Sequence, residues 1–209
     1  MKLITRLLLA GVAVLAASPL IFGVPATVGD DKIMKAITPP VDKVADAVAA
    51  GKKADAIAPL VKSAVKTIYK VDDEEYAILN VMALFKPRKR GGFGVGEKAN
   101  EVFPDGIERM LRGLDRDQPS PSKLKTYTPA LIKMANRTIA IAKISHAMPV
   151  MNDKNNRPAK GKWLKYSKDM EKASQDFIKA VKSKSPAAVK KAATMLDNTC
   201  QSCHGDFRL

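Results

Sequence analysis

The residues with the clearest chemistry lie at the carboxyl end of the chain, where Cys200 and Cys203 are followed by His204. This C-x-x-C-H sequence is typical of covalent attachment of a c-type haem. On an α-helix, positions i, i+3 and i+4 share one face, so the three side chains would project to the same side. Two thiols there could add to the vinyl groups of a haem while the imidazole binds its iron. The sequence predicts one covalent haem c on Cys200 and Cys203, with His204 as axial iron ligand.

The amino terminus has the pattern of an export signal. Lys2 and Arg6 precede an uncharged apolar run from Leu7 to Ala17, and small residues follow it. A membrane-spanning helix needs about 20 apolar residues, and Pro19 interrupts this run. We predict a signal peptide over residues 1–26, a periplasmic location and no stable membrane span after cleavage. Haem attachment in bacteria follows export, so signal and motif support each other.

Two other interpretations of the cysteines remain open. A dithiol redox centre usually lies near a strand–helix junction, and no strand pattern is visible in this sequence. A zinc site would need a ligand beyond the two cysteines and His204, such as His146 or a carboxylate. The motif holds both cysteines of the chain and one of its two histidines, and this concentration favours haem.

The elements that would position the motif are helices. Hydrophobic residues make up 46% of the chain, which is enough for a core, and their spacing is helical without strand-like alternation. The predicted helices cover about 31–50 with a break at Pro39-Pro40, 54–69, 74–85, 106–114 behind a cap at Asp105, 128–148, 161–183, and 186 onward behind a cap at Ser185. A Gly-rich loop covers 86–104. The predicted class is therefore all-α.

The last two long helices carry apolar seams. One seam contains Trp163, Tyr166, Met170, Ala173, Phe177 and Ala180, and the other contains Val189, Ala192, Leu196 and Thr199. Steps of three and four are typical of a helix face buried in a bundle. Because the second seam runs into the C-x-x-C-H motif, the haem would be buried in the bundle.

The tail from Cys200 to Arg208, CQSCHGDFR, resembles that of the class II cytochromes c, the cytochrome c prime group. The resemblance is specific over about the last 25 residues and architectural over residues 120–185. It implies an antiparallel four-helix bundle, thioether bonds to Cys200 and Cys203, His204 as the proximal ligand, and Arg208 near the haem. Residues 27–70 would then be a helical N-terminal extension or first bundle helix, and 71–209 the haem-binding bundle domain.

The sixth iron ligand decides the function that this resemblance implies. Members with a methionine on the first helix are one-electron carriers, whereas members with an apolar residue there leave iron five-coordinate and bind small gases such as NO or CO. Met82 is the predicted distal ligand, because it precedes a loop that could fold over the haem. Met34 is the next candidate, and His146 could instead give bis-histidine ligation. We expect an electron carrier rather than an enzyme; peroxidase-like activity stays open.

The charge of the chain points to its partners. Its formal net charge is +15, so a redox partner with an acidic surface is expected, and a homodimer stays open. Aromatic residues make up 5% of the chain, which offers few platforms for stacking bases, and nucleic acid is not expected. The basic loop that begins KPRKR at Lys86 is not a phosphate-binding P-loop, because Glu97 occupies the lysine position. We expect a solvated loop, or one that contacts haem propionates or an acidic partner.

Overall fold

The structure, a computed structural model, describes residues 30–72, 74–99, 101–148 and 160–207. Its α-helices are α1 (Asp31–Ala49), α2 (Ala54–Val71), α3 (Glu74–Ala83), α4 (Ile107–Arg116), α5 (Pro121–Ala147), α6 (Lys160–Lys182) and α7 (Pro186–Phe207), with a 3₁₀ helix at Arg88–Arg90. Within these ranges there is no strand, and the predicted all-α class is confirmed. The predicted signal peptide and Arg208 lie outside the described residues. The four-helix antiparallel arrangement and the division at residue 70 stay predictions.

The longest helix, α5, lies at the centre of the bundle. It packs against α1, α2 and α6, and α3 also contacts it. The five consecutive residues from Thr138 to Ala142 are all buried. A helix that is buried around its whole circumference must be enclosed by other helices, so α5 supplies the common core of the molecule.

The helix that carries the haem motif begins as the sequence predicts. Ser185 Oγ accepts a hydrogen bond from the Ala188 N–H at 3.3 Å, and Pro186 is the first residue of α7. A serine cap followed by proline suits a helix start, because the proline has no N–H to leave unpaired. From there α7 packs against α6 and α4, which fixes the direction in which its carboxyl end points.

The main departures from the predicted helices are in α5 and α1. The structure begins α5 at Pro121, ahead of the expected start near Thr128, because Ser120 caps it by accepting from the Lys123 N–H at 3.2 Å. Helix α1 continues through Pro39-Pro40, where a break was predicted. Its buried face includes Ile37 before the prolines and Val41 after them. Packing on both sides of the prolines offsets the backbone hydrogen bonds that they cannot donate.

Hydrogen bonds between its own residues and Asp105 hold the Gly-rich loop together. The predicted helix cap at Asp105 is wrong, since α4 begins at Ile107 without a side-chain cap. The Asp105 carboxylate instead accepts from the backbone N–H groups of Arg88 at 3.0 Å and Val95 at 3.1 Å. The Arg88 guanidinium donates to the Gly96 carbonyl oxygen at 2.7 Å. The loop is therefore held by a central aspartate and is not wholly solvated.

Candidate functional site

The predicted haem motif lies on the last two turns of α7, in line with the buried face of that helix. Val189, Ala192 and Leu196 are buried along this face. Cys200 and Cys203, which follow on the same side, are half-buried, whereas His204 is exposed. All three motif residues line one cavity.

This cavity, of about 270 Å³, is formed by residues from α3 to α7. Met82, the predicted distal ligand, contributes to the wall from α3, so the structure brings it together with Cys200, Cys203 and His204. A second methionine, Met170 of α6, also lines the cavity. The sequence placed Met170 in the α6 seam but gave no reason to consider it near the motif.

The two cysteines are present as free thiols. Burial raises the pKa of the Cys200 thiol to about 12, and the nearby Asp197 carboxylate adds to that effect. Burial likewise raises the pKa of the Cys203 thiol to about 11, with a smaller contribution from Asp206. Reactive cysteines in redox enzymes have lowered pKa values, so these thiols do not have the electrostatic setting of a dithiol redox centre.

The end of α7 is anchored to α6 by polar and aromatic contacts. Tyr166 Oη donates to Asp206 Oδ2 at 2.6 Å, and Lys162 Nζ donates to the same oxygen at 3.2 Å. These two bonds hold the pKa of Asp206 below its usual value, while the bond to Asp206 raises the pKa of Tyr166. Phe207 packs edge-on against Trp163, with ring centroids 5.1 Å apart. The contacts fix the turn that carries His204.

A further hydrogen bond joins this anchored region to α5. Trp163 Nε1 donates to the Ser145 carbonyl oxygen at 2.7 Å, and both residues line the cavity. Sequence analysis found Trp163 and Tyr166 as members of a buried seam. Their partners Asp206 and Ser145 were missed, because the contacts join positions far apart in the chain and follow no local spacing rule.

Charged side chains line the part of the cavity that α4 and α7 form. Glu108 and Arg112 of α4 form an ion pair at 2.6 Å, and Asp197 of α7 also lines the cavity. Burial raises the pKa of Asp197, against a hydrogen bond with Gln201 and the charge of Arg112 that lower it. The cavity therefore combines a largely apolar interior with an ionisable side.

The other predicted ligands lie elsewhere. Met34 of α1 is buried beside a groove that also contains Phe93 and Arg137, and His146 lines a different groove between α2 and α6. Arg208 lies outside the described residues. Within the described parts of the chain, no group of three or more histidine, cysteine, aspartate or glutamate side chains is placed to hold a metal ion.

The groups around the cavity fit a haem. Two thiols and an imidazole come from one helix, which suits two thioether bonds and one axial ligand. A thioether from α3 lies in the same cavity, and apolar side chains such as Leu79, Phe85 and Leu111 complete its lining. An apolar macrocycle with a central metal matches this combination of donors and lining.

The family comparison matches the part of the chain that contains the motif. A family model described as Cytochrome C' matches residues 158–208, which include α6 and α7. The chain has no significant match among curated proteins or among solved structures. No helix of the described residues is long and apolar enough to cross a membrane. The carboxyl-terminal part of the chain is similar to the Cytochrome C' family, which confirms the predicted resemblance and supports a c-type cytochrome haem protein.

Proposed function

We propose that the chain is an exported c-type cytochrome that carries one covalent haem and transfers single electrons in the periplasm. The observation that carries the proposal is the shared cavity, lined by Cys200, Cys203 and His204 from α7 and by Met82 from α3. Separate helices thus provide two attachment groups and two candidate axial ligands around one apolar space. In this proposal the protein is an electron carrier and not an enzyme.

Each of these residues has a distinct role in the proposal. Cys200 and Cys203 would hold the cofactor, and His204 and Met82 would bind its iron. A bound haem supplies an iron that alternates between the ferric and ferrous states and so carries one electron. A thioether ligand raises the reduction potential relative to a second imidazole. The apolar lining limits access of water, which would otherwise stabilise the ferric charge.

Contacts made by residues that are not proposed ligands support this arrangement. The bonds from Tyr166 and Lys162 to Asp206, with the Phe207–Trp163 packing, hold the turn that presents His204. Met82 lies near the end of α3, just before the loop that Asp105 holds in place. Both axial candidates therefore lie next to segments that are fixed by tertiary hydrogen bonds, as an electron carrier with little rearrangement between redox states requires.

A second candidate function is the binding of a small gas at five-coordinate iron. The observation that favours it is the apolar lining of the cavity, such as Leu79 of α3 and Leu111 of α4. In the family that the tail resembles, an apolar residue at the sixth position leaves the iron five-coordinate and able to bind such gases. The dithiol alternative has less support, because burial raises the pKa of both thiols.

The sixth ligand separates electron transfer from gas binding, and Met82→Leu tests it. Leucine conserves the side-chain volume but removes the sulfur. We expect the wild-type protein to have a low-spin spectrum with a sulfur-to-iron charge-transfer band, and Met82→Leu to lose that band and become high-spin. The matched control is Met170→Leu, which removes the other thioether of the cavity.

Three outcomes decide between the assignments. Loss of the band in Met82→Leu alone supports the proposal, and loss in Met170→Leu alone transfers the ligand role to α6. A wild-type spectrum that is high-spin and changes on adding carbon monoxide contradicts electron transfer through a methionine-ligated haem. That third outcome supports the gas-binding candidate.

A further inference from the structure

A groove between α2 and α6, over the carboxyl-terminal part of α5, has no part in the proposed function. Its volume is about 430 Å³, which is within the range of about 300–1,000 Å³ that small-molecule sites occupy. Among the described residues, α2 and α6 both pack on α5 but not closely on each other, and the groove is the space left between them. No described residue lines both this groove and the haem cavity.

The α2 wall of the groove is apolar. Ile57 and Val61 are 6% and 8% exposed, and Val65 is half-buried. All three line the groove, together with Ala54 and Ala58 of the same helix. Residues four apart lie on one face of a helix, so these side chains form a continuous stripe along α2. The stripe offers an extended apolar surface to a hydrocarbon chain.

The charged side chains of the groove carry an excess of positive charge. Among the described residues, its only acidic side chain is Glu171 of α6, which already pairs with Lys143 of α5 at 2.6 Å. Lys62 of α2 and Lys168 of α6 also line the groove, are exposed, and have no ion-pair partner in the described parts of the chain. His146 completes the polar lining. The groove therefore has two lysines from separate helices whose charge nothing in it balances.

We propose that this groove binds a small amphipathic anion, namely an unbranched hydrocarbon chain with a carboxylate at one end. The apolar stripe of α2 would cover the chain, while Lys62 and Lys168 would bind the carboxylate. A neutral lipid would leave both lysines without a partner, and a small anion without a chain would leave the stripe in water. The combination of stripe and lysines thus favours a ligand that has both parts.

Calorimetric titration of the purified full-length protein with decanoate tests the proposal. Decanoate is kept below the concentration at which it forms micelles. We expect it to bind at one site, with an affinity that falls as salt is added, because salt screens the contact between lysine and carboxylate. Acetate has the carboxylate without the chain, and decyl maltoside has the chain with a neutral head. Both are expected to bind much more weakly than decanoate.

The double variant with Lys62→Gln and Lys168→Gln removes the proposed contacts to the carboxylate. We expect the affinity for decanoate to fall about three- to tenfold, the effect of losing two charge contacts near the protein surface. The matched control carries Lys70→Gln and Lys182→Gln, which change the net charge equally at exposed positions of the same two helices outside the groove. An equal loss of affinity in the control would mean that net charge alone attracts the anion, and it overturns the proposal.

Ala58→Trp tests the apolar part of the site. Ala58 is exposed and lines the groove, so a tryptophan there can fill the groove without replacing a core residue. We expect this variant to lose decanoate binding, whereas Ala56→Trp, at an exposed position of α2 outside the groove, should bind as the wild type does. Thermal unfolding checks that each variant is folded.

Two further results would overturn the proposal. One is decanoate binding that Ala58→Trp leaves unchanged, and the other is a protein that binds vesicles of anionic phospholipid but not decanoate. Haem absorbance is measured on the same samples. A protein that carries haem but does not bind decanoate contradicts only the proposal for the groove, and a protein that binds decanoate without haem contradicts only the proposed function.

Discussion

The two thiols of the motif have low reactivity in the folded protein. Their pKa values, raised by burial to about 12 for Cys200 and about 11 for Cys203, keep both protonated at neutral pH. An unperturbed cysteine thiol has a pKa of about 8.5. The folded chain therefore disfavours ionisation of the thiols, which makes them poor nucleophiles at neutral pH.

This protection predicts slow alkylation in the haem-free protein. At pH 8 we expect iodoacetamide to modify Cys203 of the folded protein roughly two orders of magnitude more slowly than in the chain in denaturant, and Cys200 roughly three, since only the thiolate reacts. The rate should rise with pH towards 11. Mass spectrometry of timed samples measures both sites, and equal rates in the folded and unfolded chains at pH 8 would contradict the raised thiol pKa values.

The raised thiol pKa values also make the stability of the fold depend on pH. The direction of that dependence follows from which state binds more protons. Between pH values of about 8.5 and 11 the unfolded chain has released thiol protons that the folded chain still holds. Stability from this source is therefore fully present below about pH 8.5 and is lost as pH rises through that interval. The haem-free protein is expected to become less stable in alkali.

Sequence analysis identified the motif residues of the site but not all of the residues around them. Cys200, Cys203 and His204 are close in the chain, and helix geometry alone places them on one face. Met82 was proposed from its position before a loop, and the cavity contains it. The roles of Ser145 and Asp206 depend on contacts between separate helices, which no local pattern encodes.

At the scale of elements, Arg137 joins three segments that lie far apart in the sequence. It is a buried residue of α5, and its Nε donates to Asp42 Oδ1 of α1 at 2.9 Å. Its guanidinium also lies 4.5 Å from the centre of the Phe93 ring in the Gly-rich loop. A buried arginine is stable only when its charge is paired, so α1 and the loop both depend on this residue.

Asp42→Asn tests this dependence. Removal of one charge from a buried pair leaves the other uncompensated. Because the Asp42 side chain is 30% exposed, we expect a loss of about 1–3 kcal/mol, less than for a fully buried pair. At about 2–4 °C per kcal/mol for a chain of this size, the melting temperature should fall by roughly 2–12 °C.

Asp176→Asn is the control for a charge pair at the surface. Asp176 pairs with Lys172 and Lys179, whose side chains are 77% and 76% exposed. Such pairs are worth little because water screens them, so the melting temperature should change by much less. Equal decreases in melting temperature for Asp42→Asn and Asp176→Asn would show that the Asp42–Arg137 pair does not hold α1 against α5.

The fold shows which elements could be predicted and why others could not. Ser185-Pro186 and the seams of α6 and α7 are local patterns, and the structure has the cap and most of the seams. Among the predicted seam residues, Tyr166, Met170, Ala180 and Thr199 are only partly buried. The continuation of α1 through Pro39-Pro40 and the use of Asp105 inside the loop are wrong predictions with a common cause. In both cases contacts with distant residues outweighed the local preference of proline or aspartate.

At the scale of the whole molecule, the net charge bears on partner binding, whereas the arrangement of the helices bears on cofactor binding. The net charge of +15 would draw an acidic redox partner towards the protein, and salt would weaken that attraction. The helices enclose the cavity, with α5 as the common core and α7 as the carrier of the motif. In the proposal, association with a partner depends on the surface, whereas retention of the cofactor would depend on the two bonds to Cys200 and Cys203.

The most direct test of the account is the mass of the denatured chain after expression with a haem maturation system. We expect the wild-type polypeptide to retain the mass of one haem under denaturing conditions and to show haem absorbance. The variant with Cys200→Ala and Cys203→Ala should lose both on denaturation. A colourless wild-type protein, or a haem that separates from the wild-type chain on unfolding, would contradict the central claim.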